Sequence, residues 1–218
     1  MSKKHQLNTE EYQDKKLIAF DLYGTCIHRP EWIFWKWFTI SRELKKILET
    51  NPINIENIEK GDLTIDWVKV KLPKRTIIKV KKDIAGILLY PEFIDTIEYL
   101  KSKWYKTAVV SNLAKPYEEP LRHLIPEWTF DYEALSFKVW EMKPNPKIFE
   151  YIKDQSWINF NDIVLVWDSI HSDVLWAKEV WMKSVHINRK YKWLPENLEK
   201  HGCRYIQIST LNQLKDIL

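Results

Sequence analysis

The segment "IVLVWDSIHSDVLWAKEVWMKSVHINR", residues 163–189, decides which fold the sequence predicts. It opens with a short apolar run typical of a buried strand, passes through an acidic turn, continues with helical spacing and leads into another strand. A strand, a helix and a strand in this order predict two parallel strands joined by a helix. Trp167, Trp176 and Trp181 stand at the strand end, within the helix and after the helix. Glycine suits a helix end that turns through positive φ, and tryptophan is among the worst residues there.

Segments of the same two kinds alternate along most of the chain. "KLIAFD" (16–21) and "KTAVVSN" (106–112) predict buried strands that end in polar residues. Further strands are predicted near 133–137 and at 163–167, 184–188 and 204–208, and helices at 38–49, 91–103, 116–125, 145–155, 172–180 and from about 210. Because strands and helices alternate from residue 91 onward, we predict an α/β fold with a doubly wound parallel sheet.

The composition narrows the classes of function. The chain has 218 residues with 34 basic and 30 acidic side chains spread along its length, a net charge of only +4, and no basic stripe that would indicate a nucleic-acid partner. Its polar start does not resemble a signal peptide, and no apolar run reaches membrane-spanning length. We therefore expect a cytoplasmic protein without a membrane partner. Cys26 and Cys203 lack metal-ligand spacing, which predicts free buried thiols.

Two residue counts are abnormal. The chain contains 4 glycines, whereas the average usage of about 7% would give roughly 15. It also contains 12 tryptophans, normally among the rarest residues. Together these two counts come close to the glycine count expected on its own.

In a doubly wound sheet, ligands bind beyond the carboxyl ends of the strands. The polar residues predicted at those ends, with one on a connecting loop, are Asp21, Ser111, Asn112, Asp168, Asp173 and Lys143. Each of them alone has a structural explanation, as a turn residue, a strand-end cap, a surface-loop lysine or a carboxylate at a helix N-terminus. Their significance therefore depends on their order along the chain.

Four motifs follow one another: "FDLYGT" (20–25), "VVSN" (109–112), "KPNP" (143–146) and "DSIHSD" (168–173). This set resembles the haloacid dehalogenase superfamily, whose members are mostly phosphatases with a Rossmann-like core. The resemblance implies a catalytic core formed by residues 1–28 and 90–218. It also implies a small, mostly helical cap inserted at residues 29–89, where the pattern from about 50 onward is weaker and more charged.

The resemblance also implies a reaction, the hydrolysis of a phosphate monoester of a small metabolite. Asp21 would attack phosphorus and form an aspartyl-phosphate, which divides one difficult displacement into two easier ones. Ser111 and Asn112 would hold the phosphate. Lys143 would neutralise both the nucleophile and the phosphate, because a transferred phosphoryl group needs donors and cations at its oxygens.

Three carboxylates in one site point to a cation. Clustering Asp21, Asp168 and Asp173 is costly through like-charge repulsion unless a cation lies among them, and Mg²⁺ prefers oxygen ligands. By the resemblance, Asp21 and Asp168 are direct ligands together with the main-chain carbonyl of Tyr23. Asp173 would bind directly or through water.

The residue at position 23 departs from the phosphatase pattern. Most phosphatases of this group have a second aspartate there, which protonates the leaving oxygen, whereas a phenol with a pKa near 10 is a poor general acid. The metal-independent dehalogenases of the superfamily carry the same Asp-x-Tyr-Gly-Thr pattern, and a non-catalytic binding protein is a further alternative. We favour the metal-dependent phosphatase because Asp168, which the dehalogenases lack, is present.

The resemblance also bears on the tryptophans, since six stand where the family usually has glycine or a small residue: Trp104, Trp140, Trp157, Trp167, Trp176 and Trp181. We hypothesise that most tryptophans are glycines in the living protein, encoded by UGA in a genome that reads this codon as glycine. The hypothesis predicts positive φ or crowding at Trp104, Trp157 or Trp181. The alternative is a natural tryptophan-rich chain, with "WIFWKWF" (32–38) as a ligand-stacking surface.

Overall fold

The computed structural model describes residues 7–29, 54–57, 62–65, 68–71, 74–169, 182–190, 195–200 and 202–218. The predicted helices at 38–49 and 172–180 lie outside these residues, as do Asp173, Trp176 and Trp181.

In chain order, the described strands are β1 (Leu17–Phe20), β2 (Ile27–His28), β3 (Asn54–Asn57), β4 (Asp62–Ile65), β5 (Val68–Lys71), β6 (Leu88–Leu89), β7 (Lys106–Ser111), β8 (Tyr132–Leu135), β9 (Ile163–Trp167), β10 (Lys183–Ile187), β11 (Glu196–Lys200) and β12 (Cys203–Ile208). Seven of them form one sheet in the order β11-β12-β10-β9-β1-β7-β8. All neighbours in this sheet are parallel except β11, which pairs antiparallel with β12. The predicted Rossmann-like α/β fold is therefore confirmed.

The described α-helices are α1 (Glu10–Gln13), α2 (Lys74–Ala85), α3 (Phe93–Ser102), α4 (Glu119–Leu124), α5 (Ser136–Val139) and α6 (Lys147–Ser156). The predicted helix at 116–125 is a 3-10 turn, Lys115–Glu118, followed by α4, and the predicted last helix is a 3-10 turn, Leu211–Asp216. Pro116 and Pro120 are the second residues of the turn Lys115–Glu118 and of α4, in the first turn, where a missing backbone N–H costs least. None of the described helices is both long and apolar enough to span a bilayer.

Apolar side chains pack on both faces of the sheet. Ile18 and Phe20 of β1 belong to one buried cluster, which includes residues of α3 and of the last 3-10 turn. Leu17 and Ala19 point to the opposite face and belong to a second cluster with residues of α6. Successive residues of a strand face opposite sides, so a strand that is apolar throughout is covered on both.

The edge strand β11 was not predicted. Its sequence, "ENLEK", has no alternation of apolar residues, and only part of it is sheltered from solvent. An edge strand is held by backbone hydrogen bonds to a single neighbour, here β12 from Glu196 paired with Gln207 to Lys200 paired with Cys203. Such pairing leaves no hydrophobic pattern in the sequence.

The residues predicted to form an insertion, 29–89, contain strands as well as a helix. β6 pairs antiparallel with β2, which precedes these residues, and β3, β4 and β5 form a separate three-stranded antiparallel sheet. Helix α2 follows this sheet and buries Thr76, Val80 and Ile84, which recur at helical spacing on one face. The sequence indicated a mostly helical insertion, and residues 30–53 of it lie outside the described part.

The core of this fold can be tested at Phe93, whose fully buried ring lies 6.1 Å from that of Phe20 and 6.0 Å from that of Phe130. We expect Phe93→Ala to lower the free energy of unfolding by about 3–5 kcal/mol, because it removes apolar contacts and leaves a cavity. Urea unfolding measures this change. The matched control is Tyr151→Ala on the exposed face of α6, with an expected change of about 0.5 kcal/mol or less. Equal losses from both substitutions would contradict the packing described here.

Candidate active site

Three neighbouring strands bring the predicted site residues to one edge of the sheet. In the strand register, Phe20 of β1 pairs with Val109 of β7 on one side and with Val166 of β9 on the other. Asp21, Ser111 and Asp168 each follow these paired residues by one or two positions. From β1 the chain continues to β7 and β8 on one side of this strand and later returns to β9 and β10 on its other side. The strand order therefore reverses at β1, and ligands bind at such a switch point in folds of this kind.

Asp21 is paired with Lys143. The Nζ of Lys143 lies 3.0 Å from the Oδ1 of Asp21, and the two side chains are 3% and 13% exposed. The same Oδ1 accepts a hydrogen bond of 2.8 Å from the backbone N–H of Leu22. A buried charge is tolerated when it is paired and hydrogen-bonded, so these contacts hold an ionised carboxylate and a cation side by side.

Asn112 fixes the loop that carries Lys143. Its side-chain N–H donates to the main-chain carbonyl of Lys143 at 2.7 Å, and its side-chain oxygen accepts from the Lys143 backbone N–H at 2.7 Å. The Lys143–Pro144 peptide is cis. The amide of Asn112, which the sequence indicated as a phosphate contact, is thus engaged with the lysine loop.

Gly24 brings the first motif against Asp168. Its φ is +87°, and a Cβ at this position would lie 2.0 Å from the Oδ2 of Asp168. Any side chain here would collide with the carboxylate, so the turn requires glycine for both its conformation and its space. The carboxylate of Asp168 therefore lies directly on the turn that follows Asp21.

The hydroxyl of Tyr23 is hydrogen-bonded within the protein and is not placed to act as a proton donor. Its hydroxyl donates a 2.8 Å hydrogen bond to the main-chain carbonyl of Tyr117. The hydroxyl of Tyr117 in turn donates to Asp83 of helix α2 at 3.1 Å. Burial raises the pKa of Tyr23 far above that of a free phenol. This phenol keeps its proton and uses it in a structural hydrogen bond.

The residues at this edge offer the oxygen ligands that Mg²⁺ prefers. Asp168 packs onto the turn after Asp21, and that turn also carries the main-chain carbonyl of Tyr23. Among the described side chains, no group of three or more His, Cys, Asp or Glu is close enough to hold a metal. Asp173, the third predicted carboxylate, lies outside them. The donor types of Asp21, Asp168 and the Tyr23 carbonyl fit a magnesium site.

Arg189, which was not among the predicted site residues, holds the turn of the first motif in place. Its guanidinium donates to the carbonyls of Thr25 at 2.8 Å and Gly24 at 3.4 Å, and to Glu92 at 2.6 Å. The guanidinium carbon lies 3.2 Å from the centre of the Tyr90 ring, a close cation–π contact. One planar, always charged side chain thus ties the turn after Asp21 to the start of α3.

A signal for Arg189 was present in the sequence. It follows β10 by two residues, at the same edge of the sheet as the other site residues. The rule that selected Asp21 and Asp168, namely polar residues beyond the carboxyl ends of parallel strands, also selects Arg189. It belongs to no motif, and its function of holding a turn depends on Glu92 and Tyr90, which are distant in sequence.

Both cysteines are buried and neither forms a disulfide, which agrees with that prediction. Cys26 donates a weak hydrogen bond from its thiol to the main-chain carbonyl of Asp21 at 3.1 Å. Burial raises the pKa of the Cys26 thiol, so it stays protonated. Its function in the described structure is to fix the backbone of the first motif.

A sequence model of the haloacid dehalogenase-like hydrolase family matches residues 35–187. The match spans more than half of the chain, and the chain therefore belongs to this family. The matched range begins after Asp21 and does not include the first motif, which is supported by the contacts of Asp21 with Lys143 and Leu22.

Among proteins of known function, the chain is 30% identical over 132 residues to a glyceraldehyde 3-phosphate phosphatase of Methanothermobacter thermautotrophicus. The match covers 59% of this chain and 58% of that protein, so the chain spans less than two thirds of its relative.

Solved structures share the fold. A haloacid dehalogenase-type phosphatase from Thermococcus onnurineus superposes with a TM-score of 0.61 at 23% identity, covering 93% of this chain and 97% of its own. A 2-haloacid dehalogenase from Pseudomonas syringae superposes with a TM-score of 0.59 at 16% identity, covering 93% and 97%. At these identities the likeness establishes the fold alone and does not separate the two activities.

The Arg189–Glu92 contact should make the free energy of unfolding depend on pH. Burial acts to raise the pKa of Glu92, but the hydrogen bonds from Arg189 and from backbone N–H groups outweigh it and lower the pKa from its ordinary value of 4.5. A carboxyl whose pKa is lower in the folded protein stabilises the fold above its unfolded pKa. That stabilisation is lost as pH falls through the folded pKa.

We therefore expect Glu92→Gln to lower the free energy of unfolding near neutral pH by about 1.5–3 kcal/mol. The difference from the unsubstituted protein should shrink as pH falls below 4.5. Urea unfolding at a series of pH values measures it. Glu127→Gln, at an exposed glutamate, is the control, and a constant difference across the series would contradict the assignment.

Proposed function

We propose that the chain is a metal-dependent phosphate monoester hydrolase that acts on a small phosphorylated metabolite. The observation that carries the proposal is the buried Asp21–Lys143 pair, at an edge of the sheet where Asp168 packs onto the turn after Asp21. The phosphatase name of the Methanothermobacter relative supports the same substrate class.

Asp21 is the nucleophile in this proposal. One carboxylate oxygen attacks phosphorus, the bond to the leaving oxygen breaks, and water then hydrolyses the aspartyl-phosphate to release phosphate. Lys143, already 3.0 Å from Asp21, neutralises charge on the phosphoryl oxygens, and Ser111 donates a hydrogen bond to them. Asn112 acts by positioning Lys143 through its two hydrogen bonds to the lysine backbone.

The proposed metal is Mg²⁺, which Asp21, Asp168 and the main-chain carbonyl of Tyr23 would hold, with Asp173 binding directly or through water. When bound, it supplies positive charge that stabilises the developing negative charge on the phosphoryl oxygens. The residues of the chain have a separate task, which is to keep the two carboxylates and the lysine in place before substrate arrives.

The proposal predicts that the rate depends on the leaving group of the ester, with alkyl phosphates as slower substrates. Tyr23 holds its proton in the hydrogen bond to Tyr117, so the leaving oxygen departs without an acid from this position. Such an enzyme is fast on aryl or other acidic leaving groups and slow on alkyl phosphates, because their alkoxides need a proton.

We also propose the division into a core, 1–28 and 90–218, and an inserted cap, 29–89. The antiparallel pair of β2 and β6 supports it, because the chain leaves and re-enters the core side by side there. A separate sheet of β3, β4 and β5 within the insertion is consistent with a unit that covers the site and selects substrates.

The leading test is phosphate release from an aryl phosphate in the presence of Mg²⁺. We expect Asp21→Asn to reduce the rate by roughly 10³-fold or more and Lys143→Met by roughly 10²–10³-fold, because each removes a group that acts on the phosphoryl transition state. Chelation of the metal should abolish release, and added Mg²⁺ should restore it.

The control is Asp154→Asn, on the exposed face of α6, which should keep the full rate. Thermal melting of each variant shows whether it is folded. Phosphate release that survives Asp21→Asn or chelation would overturn the mechanism. A folded chain that releases no phosphate would instead favour the binding-protein alternative.

The substitution Tyr23→Phe tests whether Tyr23 protonates the leaving oxygen. If Tyr23 were the general acid, the substitution would reduce the rate on an alkyl phosphate by roughly 10²–10⁴-fold. We expect the rates on aryl and alkyl phosphates to keep their ratio and the stability to fall by about 0.5–1.5 kcal/mol, because only the hydrogen bond to Tyr117 is lost. A selective loss on the alkyl ester would show that Tyr23 donates the proton.

The second candidate activity is dehalogenation, and the tyrosine at position 23 favours it. A halide leaves without a proton, so a 2-haloacid needs no acid from this position. Halide release from a 2-haloalkanoate after metal removal, together with silence on phosphate esters, would replace the phosphatase proposal with this one.

A further inference from the structure

Within the described chain, the residues other than glycine that have positive φ are all tryptophans. They are Trp104 at 67°, Trp140 at 58° and Trp157 at 58°. Only five of the tryptophans are described, so three of the five adopt the left-handed conformation. This region is uncommon for residues other than glycine, and a bulky side chain makes it an outlier.

Two of these tryptophans occupy the glycine position of a helix end. Trp140 follows α5 with φ 58° and ψ 23°, and its N–H bonds back to the carbonyl of Ser136. Trp157 follows α6 with the same angles, and its N–H bonds back to Lys153. A left-handed residue that satisfies the last helical carbonyls is a common helix ending, and it is usually glycine because glycine has no Cβ.

The indole rings of two of these tryptophans make little stabilising contact with the rest of the protein. Trp104 is 92% exposed and Trp157 is 93% exposed. An exposed ring buries almost no apolar surface, so packing does not offset the strain of the backbone. The backbone conformation at these positions is explained by glycine and is unexplained by tryptophan.

Trp167 fits its position poorly for a different reason, which is its buried indole N–H. It is fully buried beside His186 and Tyr205, with ring centres 4.6 Å and 5.9 Å away. Its indole N–H makes no hydrogen bond to the described residues. A buried donor without a partner destabilises a fold, so tryptophan packs here at a cost that a residue without a polar side-chain atom avoids.

We propose that these tryptophans, with most of the others, are glycines in the native protein. Their codons would be UGA, which one alternative genetic code reads as tryptophan and another as glycine. Twelve tryptophans beside 4 glycines is the composition that such a misreading produces. Among the described glycines, Gly24 and Gly202 also have positive φ, as expected for this residue.

The reassignment has consequences for the candidate active site. Position 140 begins the loop that carries Lys143, and position 167 immediately precedes Asp168. Glycine at 140 lets the helix end turn without strain directly before the lysine that pairs with Asp21.

The first test reads the gene and the native protein. UGG codons at positions 104, 140 and 157 would overturn the proposal at once, and UGA codons are expected. Native protein from the source cells is then digested with trypsin. The peptide 154–178 carries positions 157, 167 and 176 together, so its mass distinguishes three glycines from three tryptophans. The peptide 205–215, which contains no tryptophan, confirms that the protein is present.

The second test isolates the backbone strain with purified protein. Trp157→Gly and Trp157→Ala both remove the indole and differ only in the Cβ. We expect the glycine variant to melt roughly 2–4 °C above the alanine variant, because only the Cβ is strained at positive φ. Trp104 should behave in the same way.

Trp128 provides the matched control, since it is also exposed but lies in a 3-10 turn, Glu127–Thr129. Here the alanine variant should melt at or above the glycine variant, because glycine adds only chain entropy. Glycine in the native peptide and the opposite orders of melting support the proposal. Tryptophan at 157 in the native peptide, or equal melting of the two variants there, overturns it.

Discussion

The ion pair between Asp21 and Lys143 is the contact on which the rest of the site depends. Both side chains are largely removed from water, and removing one partner of such a pair leaves an uncompensated charge, at a cost of about 3–5 kcal/mol. The carboxylate is also anchored by the Leu22 N–H, and the lysine loop is held by Asn112. The sheet edge is thus organised around two opposite charges before any substrate arrives.

The fold was predictable because its central strands are apolar on both faces and end in polar residues. β9 was predicted at residues 163–167, where it is found, and β1 and β7 to within one residue. The edge strand β11 was not predicted, because it is held by backbone pairing to one neighbour and its sequence has no clear hydrophobic pattern. The sheet of β3, β4 and β5 was not predicted either.

The site was predictable only in part. Motifs identified Asp21, Lys143 and Asp168, whose chemistry follows from residue type and place in the chain. They could not show that Asn112 holds the lysine backbone or that Arg189 bridges Glu92 and the first turn. Those functions arise between residues distant in sequence. The direction of the Tyr23 side chain was equally hidden, since its hydroxyl bonds to a carbonyl that no sequence pattern marks.

That hydroxyl has a mechanical consequence. Tyr23 bonds to Tyr117, and Tyr117 bonds to Asp83 on α2, so two hydrogen bonds link α2, in the predicted insertion, to the turn beside Asp21. Hydrogen bonds tolerate little change in distance or angle. A large shift of α2 would therefore either move that turn or break one of the two hydrogen bonds. If the insertion covers a bound substrate, as proposed, a shift of α2 caused by a poorly fitting ligand would also move the turn beside Asp21 and misalign its carboxylate.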